Sequence, residues 1–429
     1  MFGFANFLLL ALFAAAVFDL IFALARGGGL RGALHGLWNT PHLLFGQQLA
    51  EWRLQLGRIL FAAGLAAYEI SVVFCNSMAR QNWAWVQGVM SPVLEWLAFL
   101  CFGAKILFGT RYTWRELLAG GALYFIARWV YFNSQNIWWI GIVVAVLAAK
   151  DVPLRRPLQV YFASGCAAMA VVLALHFAGI VAPDLTSERM GALRGTYGYG
   201  HPNTFGGLVF GLVLAYALLR AQKVRWVDCL LVFAVGVFLL VGPASRSAAL
   251  CTLALAVGLV FCRLRAGHSV PCWWPGTCAG MVGLTAAVSY LLPLLVIKVG
   301  PWNNDIGPAW LAKLDSLLTC RISLTWMAYR LLDVKIAGQV FNWPTVDNSF
   351  AFALFQFGPV VAALLGILFA AALWGHAKQG RRVEVCCLFA MLAYAYMEVQ
   401  PFHLTTNPTA LLLCGAVFAQ TSARWQKIE

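Results

Sequence analysis

Long apolar runs recur along the whole chain and constrain its fold more than any other feature of the sequence. About 20 apolar residues suffice to cross a bilayer as an α-helix, and in lipid only helices and closed barrels satisfy every backbone hydrogen bond. Charged residues make up 11% of the chain, whereas soluble domains carry about 25%. We therefore predict an all-α polytopic membrane protein with about 12–14 transmembrane helices, forming a single membrane domain over residues 1–429.

The predicted spans follow the apolar runs. Residues 26–57 are left open between an interfacial helix and a further hairpin. The first run has no positive charge before it and is too long for the core of a secretory signal, so we interpret it as a span. The spans are residues 4–25, 58–75, 89–108, 117–132, 137–149, 157–182, 204–219, 226–241, 247–262, 272–297, 348–373, 384–399 and 409–423.

The net charge of +14 does not indicate a nucleic-acid-binding protein, because the basic residues gather in alternate loops and form no basic arm. Under the positive-inside rule these loops are cytoplasmic, as is the C-terminus. The prediction is a multi-pass membrane protein with these loops on the cytoplasmic side. Four loops then face outward, and every polar cluster of interest lies in them or at their membrane edges: residues 183–203, 242–246, 298–347 and 400–408.

The first two outer loops carry candidate anion ligands. "RGTYGYGHPNTFGG" contains Arg194, His201 and Asn203 among glycines that permit close approach of backbone to a ligand. The alternative is a flexible loop in which Asn203 caps the next helix. Arg246, in "VGPASRSAAL", lies between two apolar runs and is expected to face a partner or cavity, with snorkelling to the headgroups as the alternative.

The third outer loop, residues 298–347, is the large extracytoplasmic loop and is predicted to contain one amphipathic helix with Arg321 in the middle of its apolar face. Arg321 could turn toward a buried anion or pair with an acidic residue beneath the helix. Asp347 and Asn348 close the loop, and Asp347 is either a helix N-cap or a general base. The apolar face comprises Trp310, Leu311, Leu314, Leu317, Leu318, Thr325, Ala328 and Leu332.

The fourth outer loop, "EVQPFHLTTNPTALL", adds Glu398, His403 and Asn407. Glu398 is a second carboxylate or a partner for one of the arginines. The spacing of the His, Asp and Glu residues does not match a metal site, so neither a metal nor another cofactor is predicted.

Three arginines on one side of a membrane indicate a multiply charged anion at the lipid boundary, since guanidinium groups bind phosphate oxygens by bidentate forks. A polyprenyl diphosphate carrying a sugar fits this description. An adjacent carboxylate could accept the proton of an acceptor hydroxyl, so the pattern allows a glycosyltransferase that needs no nucleotide sugar.

Several motifs occur in order along the chain. They are "RGTYGYGHPNTFGG", "SRSA", "LDSLLTCRISL" followed by "GQVFNWPTVDNSF", and Glu398 with Asn407. This series of motifs resembles the Wzy-type polysaccharide polymerases of bacterial capsule, exopolysaccharide and O-antigen assembly, in the superfamily shared with the O-antigen ligases. The resemblance covers about residues 190–410, while the first half of the chain matches only in hydropathy.

The related ligases carry His-Asn, nine residues and then Gly at the end of their large outer loop. Here Asp347-Asn348 is followed by nine residues and Gly358, so the resemblance implies that Asp347 stands at the position of the ligases' histidine. This departure favours polymerase over ligase. Cys320 is a second departure, because a small residue such as Gly is expected before Arg321.

The resemblance implies an inverting, metal-independent glycosyl transfer. It would take place at the outer face of the bacterial cytoplasmic (inner) membrane. One undecaprenyl-diphosphate-linked oligosaccharide donates its reducing-end sugar to a hydroxyl of a second, and undecaprenyl diphosphate leaves. The bilayer, a flippase and a chain-length regulator are the implied partners, with no nucleic acid. The implied roles are diphosphate binding for Arg194, Arg246 and Arg321, catalysis for Asp347, His201 and Glu398, and support for Asn203, Asn348, His403 and Asn407.

Two alternatives remain open. A surface-glycan ligase would differ in its acceptor, which the sequence does not specify. A transporter or flippase would fit the number of spans, but such proteins place charges near the bilayer midplane and often contain two related halves. Asp19 is one of few charges within a predicted span.

Overall fold

The computed structural model describes residues 2–25, 29–45, 50–181, 187–189, 192–296 and 308–418. Contacts between residues divide the chain into two units. Unit 1 comprises Met1–Arg128, Ile140–Thr204 and Ala410–Glu429, and unit 2 comprises Trp129–Trp139 and Phe205–Thr409.

The described residues are mainly helical. The α-helices are α1 (Phe2–Ala25), α2 (Gly29–Asn39), α3 (Ala50–Cys75), α4 (Ala79–Asn82), α5 (Ser91–Phe108), α6 (Trp114–Ser134), α7 (Ile137–Ala148), α8 (Arg155–Phe177), α9 (Pro202–Leu219), α10 (Trp226–Val241), α11 (Arg246–Leu264), α12 (Trp274–Leu291), α13 (Ala309–Leu317), α14 (Arg321–Leu331), α15 (Ser349–Phe352), α16 (Pro359–Lys378), α17 (Arg382–Met397) and α18 (Cys414–Val417). Four short strands accompany them: β1 (His42–Leu43), β2 (Arg111–Tyr112), β3 (Ser187–Arg189) and β4 (Ala192–Arg194).

Eight helices in the described part of the chain are long and apolar enough to cross a membrane. This confirms the coarse prediction of an all-α polytopic membrane protein, whereas the number of 12–14 spans stays a prediction. Three further predicted spans coincide with apolar helices of 10–17 residues: Ile137–Ala148, Trp226–Val241 and Pro408–Val417. The eight long segments are Asn6–Ala25, Glu51–Cys75, Val86–Phe108, Arg155–Phe177, Pro202–Leu219, Arg246–Leu264, Trp274–Leu295 and Pro359–Lys378.

Unit 1 is organised around α3, which packs against α5 and α8. Near one end of the α3–α5 pair, Gly57 meets Gly109 so closely that a Cβ on Gly57 would lie 2.8 Å from the Gly109 Cα. The open segment 26–57 contains α2 and then β1, which pairs antiparallel with β2 in the register His42 to Tyr112. The sequence left residues 26–57 open between an interfacial helix and a further hairpin. The structure places a helix and then a paired strand in this segment.

A buried charge cluster lies in unit 1, and we call it the Lys150 cluster: Lys105, Glu116, Lys150 and Asp151. The Lys150 Nζ lies 3.3 Å from Glu116 Oε1 and 3.6 Å from Asp151 Oδ1. It also lies 5.5 Å from the ring centroids of Tyr112 and Phe418. The Lys105 Nζ donates to Thr110 Oγ1 at 2.8 Å and to the Lys150 carbonyl. Both lysines are only 1% exposed, so the two cations are closed to solvent, whereas the Asp151 side chain is 23% exposed.

In unit 2, α11 packs against α10 and α17, and α12 packs against α16. A smaller core beside α14 contains Ala328, Val346, Ala351 and Phe355. This core joins the second half of the large outer loop to α15, and it thereby fixes the chain segment that carries Asp347.

The prediction of one continuous amphipathic helix in the large outer loop is wrong. The chain forms α13 and α14 instead, separated by Thr319 and Cys320, whose φ angles are 59° and 65°. Asp315 stabilises the break, because its Oδ1 accepts from the Ile322 backbone N–H at 2.7 Å. The part of the loop at residues 297–307 lies outside the described residues.

The predicted apolar face is divided by this break. Leu311, Thr325 and Ala328 are buried, while Trp310 and Leu317 are 55% and 68% exposed. The side chains of the predicted face therefore do not share one environment within the protein.

The predicted span 348–373 is also wrong in its first part. α15 leads into a π-helical turn, Ala353–Phe357, which ends at Gly358, and α16 begins only at Pro359. Gly358 has a φ of 86°, and a Cβ there would collide with the Ile336 carbonyl. Glycine is thus required by the turn and by the close approach of the loop.

Candidate active site

Four segments of unit 2 meet around one guanidinium group. They are the start of α11, the start of α14, the residues before α15 and the end of α17. We name this group the Arg321 cluster, and it consists of Ser247, Thr319, Arg321, Asp347 and Glu398.

The α13–α14 break positions Arg321. Asp315 is fully buried and holds the first turn of α14 through the backbone N–H groups of Ile322 and Ser323, at 2.7 and 3.2 Å. It also accepts from the Ser323 hydroxyl at 2.6 Å. The left-handed backbone of Cys320 explains why a residue such as Gly is expected before Arg321.

Arg321 is 7% exposed and its guanidinium is surrounded by acceptors. The Nη2 atom donates to Glu398 Oε1 at 2.5 Å and to Ser247 Oγ at 3.2 Å. The Nη1 atom donates to the Leu318 carbonyl at 2.9 Å and to Thr319 Oγ1, and Nε donates to the Met397 carbonyl. A guanidinium has five N–H donors. Arg321 therefore cross-links four segments, and the pairing with an acidic residue that the sequence left as an alternative is present.

Glu398 is buried beside Arg321. Its Oε1 also accepts from Ser247 Oγ at 2.9 Å, and its backbone carbonyl accepts from Ser349 Oγ at 2.5 Å. Burial raises the pKa of Glu398 to about 7, because it disfavours the carboxylate more than Arg321 and Ser247 favour it, and nearby Asp347 raises that pKa further. Glu398 is therefore the predicted site carboxylate whose charge changes near neutral pH.

Asp347 is the open member of the cluster. Its Oδ2 lies 4.0 Å from Arg321 Nε, and its side chain is 31% exposed. The alternative in which Asp347 caps the next helix is wrong, because Asn348 is the N-cap: its Oδ1 accepts from the N–H groups of Phe350 and Ala351 at 2.9 and 3.0 Å. Asn348 Nδ2 also donates to Ser289 Oγ and to the Tyr396 carbonyl, at 3.0 and 3.1 Å.

Arg246 is the exposed first residue of α11. It directly precedes Ser247, whose hydroxyl donates to Glu398. The structure therefore places Arg246 next in sequence to the Arg321 cluster, with its side chain outside the buried part.

His403 and Asn407 organise the turn after α17. The His403 ring lies 3.8 Å from the Trp138 ring, centroid to centroid. Burial lowers the pKa of His403, so its imidazole is neutral at physiological pH. Asn407 Nδ2 donates to the Pro401 carbonyl at 2.9 Å, and its Oδ1 accepts from Thr409 Oγ1 at 2.5 Å.

Arg194, His201 and Asn203 belong to unit 1. Arg194 is buried at the end of β4 and its Nη2 donates to Asn203 Oδ1 at 2.9 Å. The alternative in which Asn203 caps α9 is wrong: His201 precedes the helix, and its Nδ1 accepts from the Asn203 N–H at 3.1 Å.

In the glycine-rich stretch before His201, Gly198 packs closely against α8. Gly198 has a φ of 81°, and a Cβ there would lie 3.0 Å from the Cβ of His176 in α8. Its carbonyl accepts from the Met78 N–H at 2.8 Å, and Tyr199 forms a β-bridge with Ser77. Close approach of the backbone at Gly198 is therefore to the protein itself.

Sequence reasoning missed the hydroxyl and carboxylate groups that support the cluster. Ser247 lies inside the quoted motif "SRSA", and Ser349 follows Asn348, so each was adjacent to a residue already selected. Asp315 lies outside the apolar face predicted for a continuous helix. The sequence Asp-x7-Ser would have indicated a cap only if the helix break had been recognised.

Comparison with protein-family models, with curated protein sequences and with solved structures finds no match for this chain. Within the described part of the chain, no three His, Cys, Asp or Glu side chains lie together in a way that could hold a metal ion. The function must therefore be argued from the Arg321 cluster itself.

Proposed function

We propose that the chain is a membrane glycosyltransferase that joins lipid-diphosphate-linked oligosaccharides, with undecaprenyl diphosphate as the leaving group. The observation that carries the proposal is the convergence of Ser247, Arg321, Asp347 and Glu398 from four segments distant in sequence. Three of these segments hold motifs of the polymerase resemblance, and the fourth holds Glu398. The apolar helices supply the lipid setting that such a substrate requires.

Asp347 is the proposed general base. Its carboxylate is partly exposed and lies 4.0 Å from a guanidinium that is itself buried. In the proposed reaction Asp347 accepts the proton of the acceptor hydroxyl while that oxygen bonds to the anomeric carbon of the donor. The bond from this carbon to the diphosphate oxygen breaks on the opposite face, and the diphosphate leaves with the electron pair.

Arg321 and Glu398 have supporting roles in this proposal. The Arg321 guanidinium donates hydrogen bonds to protein acceptors through all three of its nitrogens, so its proposed role is to hold Glu398 and the Asp347 segment in place. Arg246 is the proposed contact for the donor diphosphate in unit 2, because it is exposed at the edge of the cluster. The diphosphate role of Arg194 and the catalytic role of His201 stay predictions from the sequence.

The outward orientation of the site, at the extracytoplasmic face of the bacterial cytoplasmic membrane, is part of the proposal and rests on the distribution of basic residues. The choice of polymerase over ligase rests on Asp347 at the position of the ligases' histidine. A flippase or chain-length regulator would act before or alongside this reaction.

Reconstitution tests the proposal. Purified protein in lipid vesicles is incubated with an undecaprenyl-diphosphate-linked repeat unit, and the products are resolved by size. Wild type is expected to produce a ladder of lengthened lipid-linked chains. Arg246→Ala is expected to lower that product about 10–100-fold, as for loss of a hydrogen-bonded charge contact.

Arg263→Ala is the matched control, because Arg263 is an exposed arginine at the other end of α11. No lengthened product from the wild type, or equal losses in Arg246→Ala and Arg263→Ala, would contradict the proposal. Transfer to a different acceptor without a ladder would favour the ligase, and movement of the substrate across the vesicle without new glycosidic bonds would favour the transporter.

A further inference from the structure

A cavity of about 450 Å³ lies in unit 1, between the first turns of α3 and the start of α8. Its lining includes no residue of the Arg321 cluster and no predicted site residue. Three arginines line it, namely Arg58 from α3 and Arg155 and Arg156 from α8. Apolar side chains, including Ile59 and Val160, form much of the remaining lining.

The positive charge of the three arginines is not balanced by an acidic residue in the cavity lining. No carboxylate is among the lining residues. Within the described ranges, none of the three arginines forms an ion pair with an acidic side chain.

Arg58 provides a second, independent observation. Its Nε is buried and has no hydrogen-bond partner in the described structure. Its Nη1 makes only a long 3.5 Å contact with Gln55 Oε1, and Gln55 also lines the cavity. A buried N–H without an acceptor costs about 1–3 kcal/mol, more for a charged group, so this atom points to an acceptor that the chain itself does not supply.

We propose that this cavity binds the phosphate group of an anionic lipid headgroup. Guanidinium groups bind phosphate oxygens in a bidentate manner, and basic pockets at the ends of membrane helices are suited to anionic headgroups. The apolar lining favours a lipid over a soluble phosphate, because Ile59 is 65% exposed and faces outward from α3, where acyl chains would lie. α3 and α8 are both long and apolar enough to cross a membrane.

The inference does not depend on the proposed transferase activity, since it concerns other residues and needs no turnover. Its test is binding of phosphatidylglycerol to the purified protein in mild detergent, measured by native mass spectrometry. The variant is Arg155→Gln with Arg156→Gln. Both side chains are exposed, so these changes leave the packing of α8 intact.

The matched control is Arg263→Gln with Arg265→Gln, two exposed arginines at the end of α11. The cavity variant is expected to bind phosphatidylglycerol about tenfold or more weakly, as for two lost lipid-facing charges, while the control binds like wild type. Arg58→Gln is expected to weaken binding in the same direction.

Two further arms identify the source of the phosphate. Phosphatidylcholine, whose headgroup is zwitterionic, is expected to bind more weakly than phosphatidylglycerol, and glycerol phosphate is expected not to displace the bound lipid. Equal losses of phosphatidylglycerol binding in the cavity variant and the control would overturn the proposal. Binding would then depend on the overall surface charge and not on the cavity. Displacement of the lipid by glycerol phosphate would overturn it as well, because the site would then recognise a soluble phosphate.

Discussion

The Arg321 cluster and the Lys150 cluster are both groups of buried charges at helix ends, and they differ in one respect that bears on function. In the Lys150 cluster the cation lies among two carboxylates and two aromatic rings and is closed to solvent. The Asp151 carboxylate of that cluster is 23% exposed. In the Arg321 cluster Asp347 is 31% exposed, and the exposed Arg246 directly precedes Ser247.

The comparison shows that a buried ion pair alone does not indicate an active site. Such pairs are weak evidence even for stability, because the cost of removing both charges from water offsets their attraction. Both clusters contain a partly exposed aspartate beside a buried cation. What distinguishes the Arg321 cluster is that an exposed arginine, Arg246, directly precedes one of its members, Ser247. The predictions below test whether that difference is functional.

Removal of Arg321 is expected to have one of the two largest effects on stability. Arg321→Ala leaves Glu398 buried without its cation, and loss of one partner of a buried pair costs about 3–5 kcal/mol. Thermal unfolding in detergent measures the change. The double variant Arg321→Met with Glu398→Leu removes both charges and is expected to regain most of the stability without regaining product formation. Full product formation by that double variant would make the Arg321 cluster a purely structural pair.

Lys150→Ala provides the comparison from the closed cluster. Glu116 loses its cation, so the loss of stability is again expected to be about 3–5 kcal/mol. Product formation per folded molecule is expected to stay at the wild-type level. A loss of product out of proportion to the loss of folded protein would remove the distinction between the two clusters.

Asn348→Ala is expected to destabilise the protein by about 1–2 kcal/mol, because the N-cap of α15 is lost and the Tyr396 carbonyl loses a donor. Asn133→Ala is the control, since Asn133 is exposed and bonds only to the backbone of its own helix. Equal stability of the two variants would contradict the capping role of Asn348.

The pH dependence of stability tests the burial of Glu398. Its folded-state pKa of about 7 is raised above the ordinary 4.5, so its contribution is fully present below pH 4.5 and is lost as the pH rises through about 7. The slope is at most about 1.4 kcal/mol per pH unit for one group. Glu398→Gln is expected to reduce this slope when melting temperatures are measured across the window. Identical slopes in the variant and the wild type would show that Glu398 does not titrate there.

Much of the frame could be predicted from the sequence, because apolar runs of bilayer length leave few structural alternatives. Polar residues at the ends of those runs also identified most of the Arg321 cluster, since Arg321, Asp347 and Glu398 were all selected. Their convergence in unit 2 agrees with that selection.

The details that were missed depend on backbone conformations that residue type does not specify. Thr319 and Cys320 adopt positive φ although neither is glycine, so the α13–α14 break had no local signal. Gly358 was selected through the family resemblance, but the π-helical turn before it was not predicted. Both features are set by tertiary contacts, through Asp315 in the first case and the Ile336 carbonyl in the second.

The most direct test of the account compares one aspartate from each cluster. Asp347 and Asp151 are both partly exposed carboxylates within 4.0 Å of a buried cation. The measurement is the yield of lengthened lipid-linked chains in the reconstituted reaction for Asp347→Asn and Asp151→Asn, each normalised to folded protein. The account predicts a fall of about 10²–10⁴-fold for Asp347→Asn, as for loss of a general base, and a near wild-type yield for Asp151→Asn. An undiminished yield from Asp347→Asn, or equal losses in both variants, would contradict it.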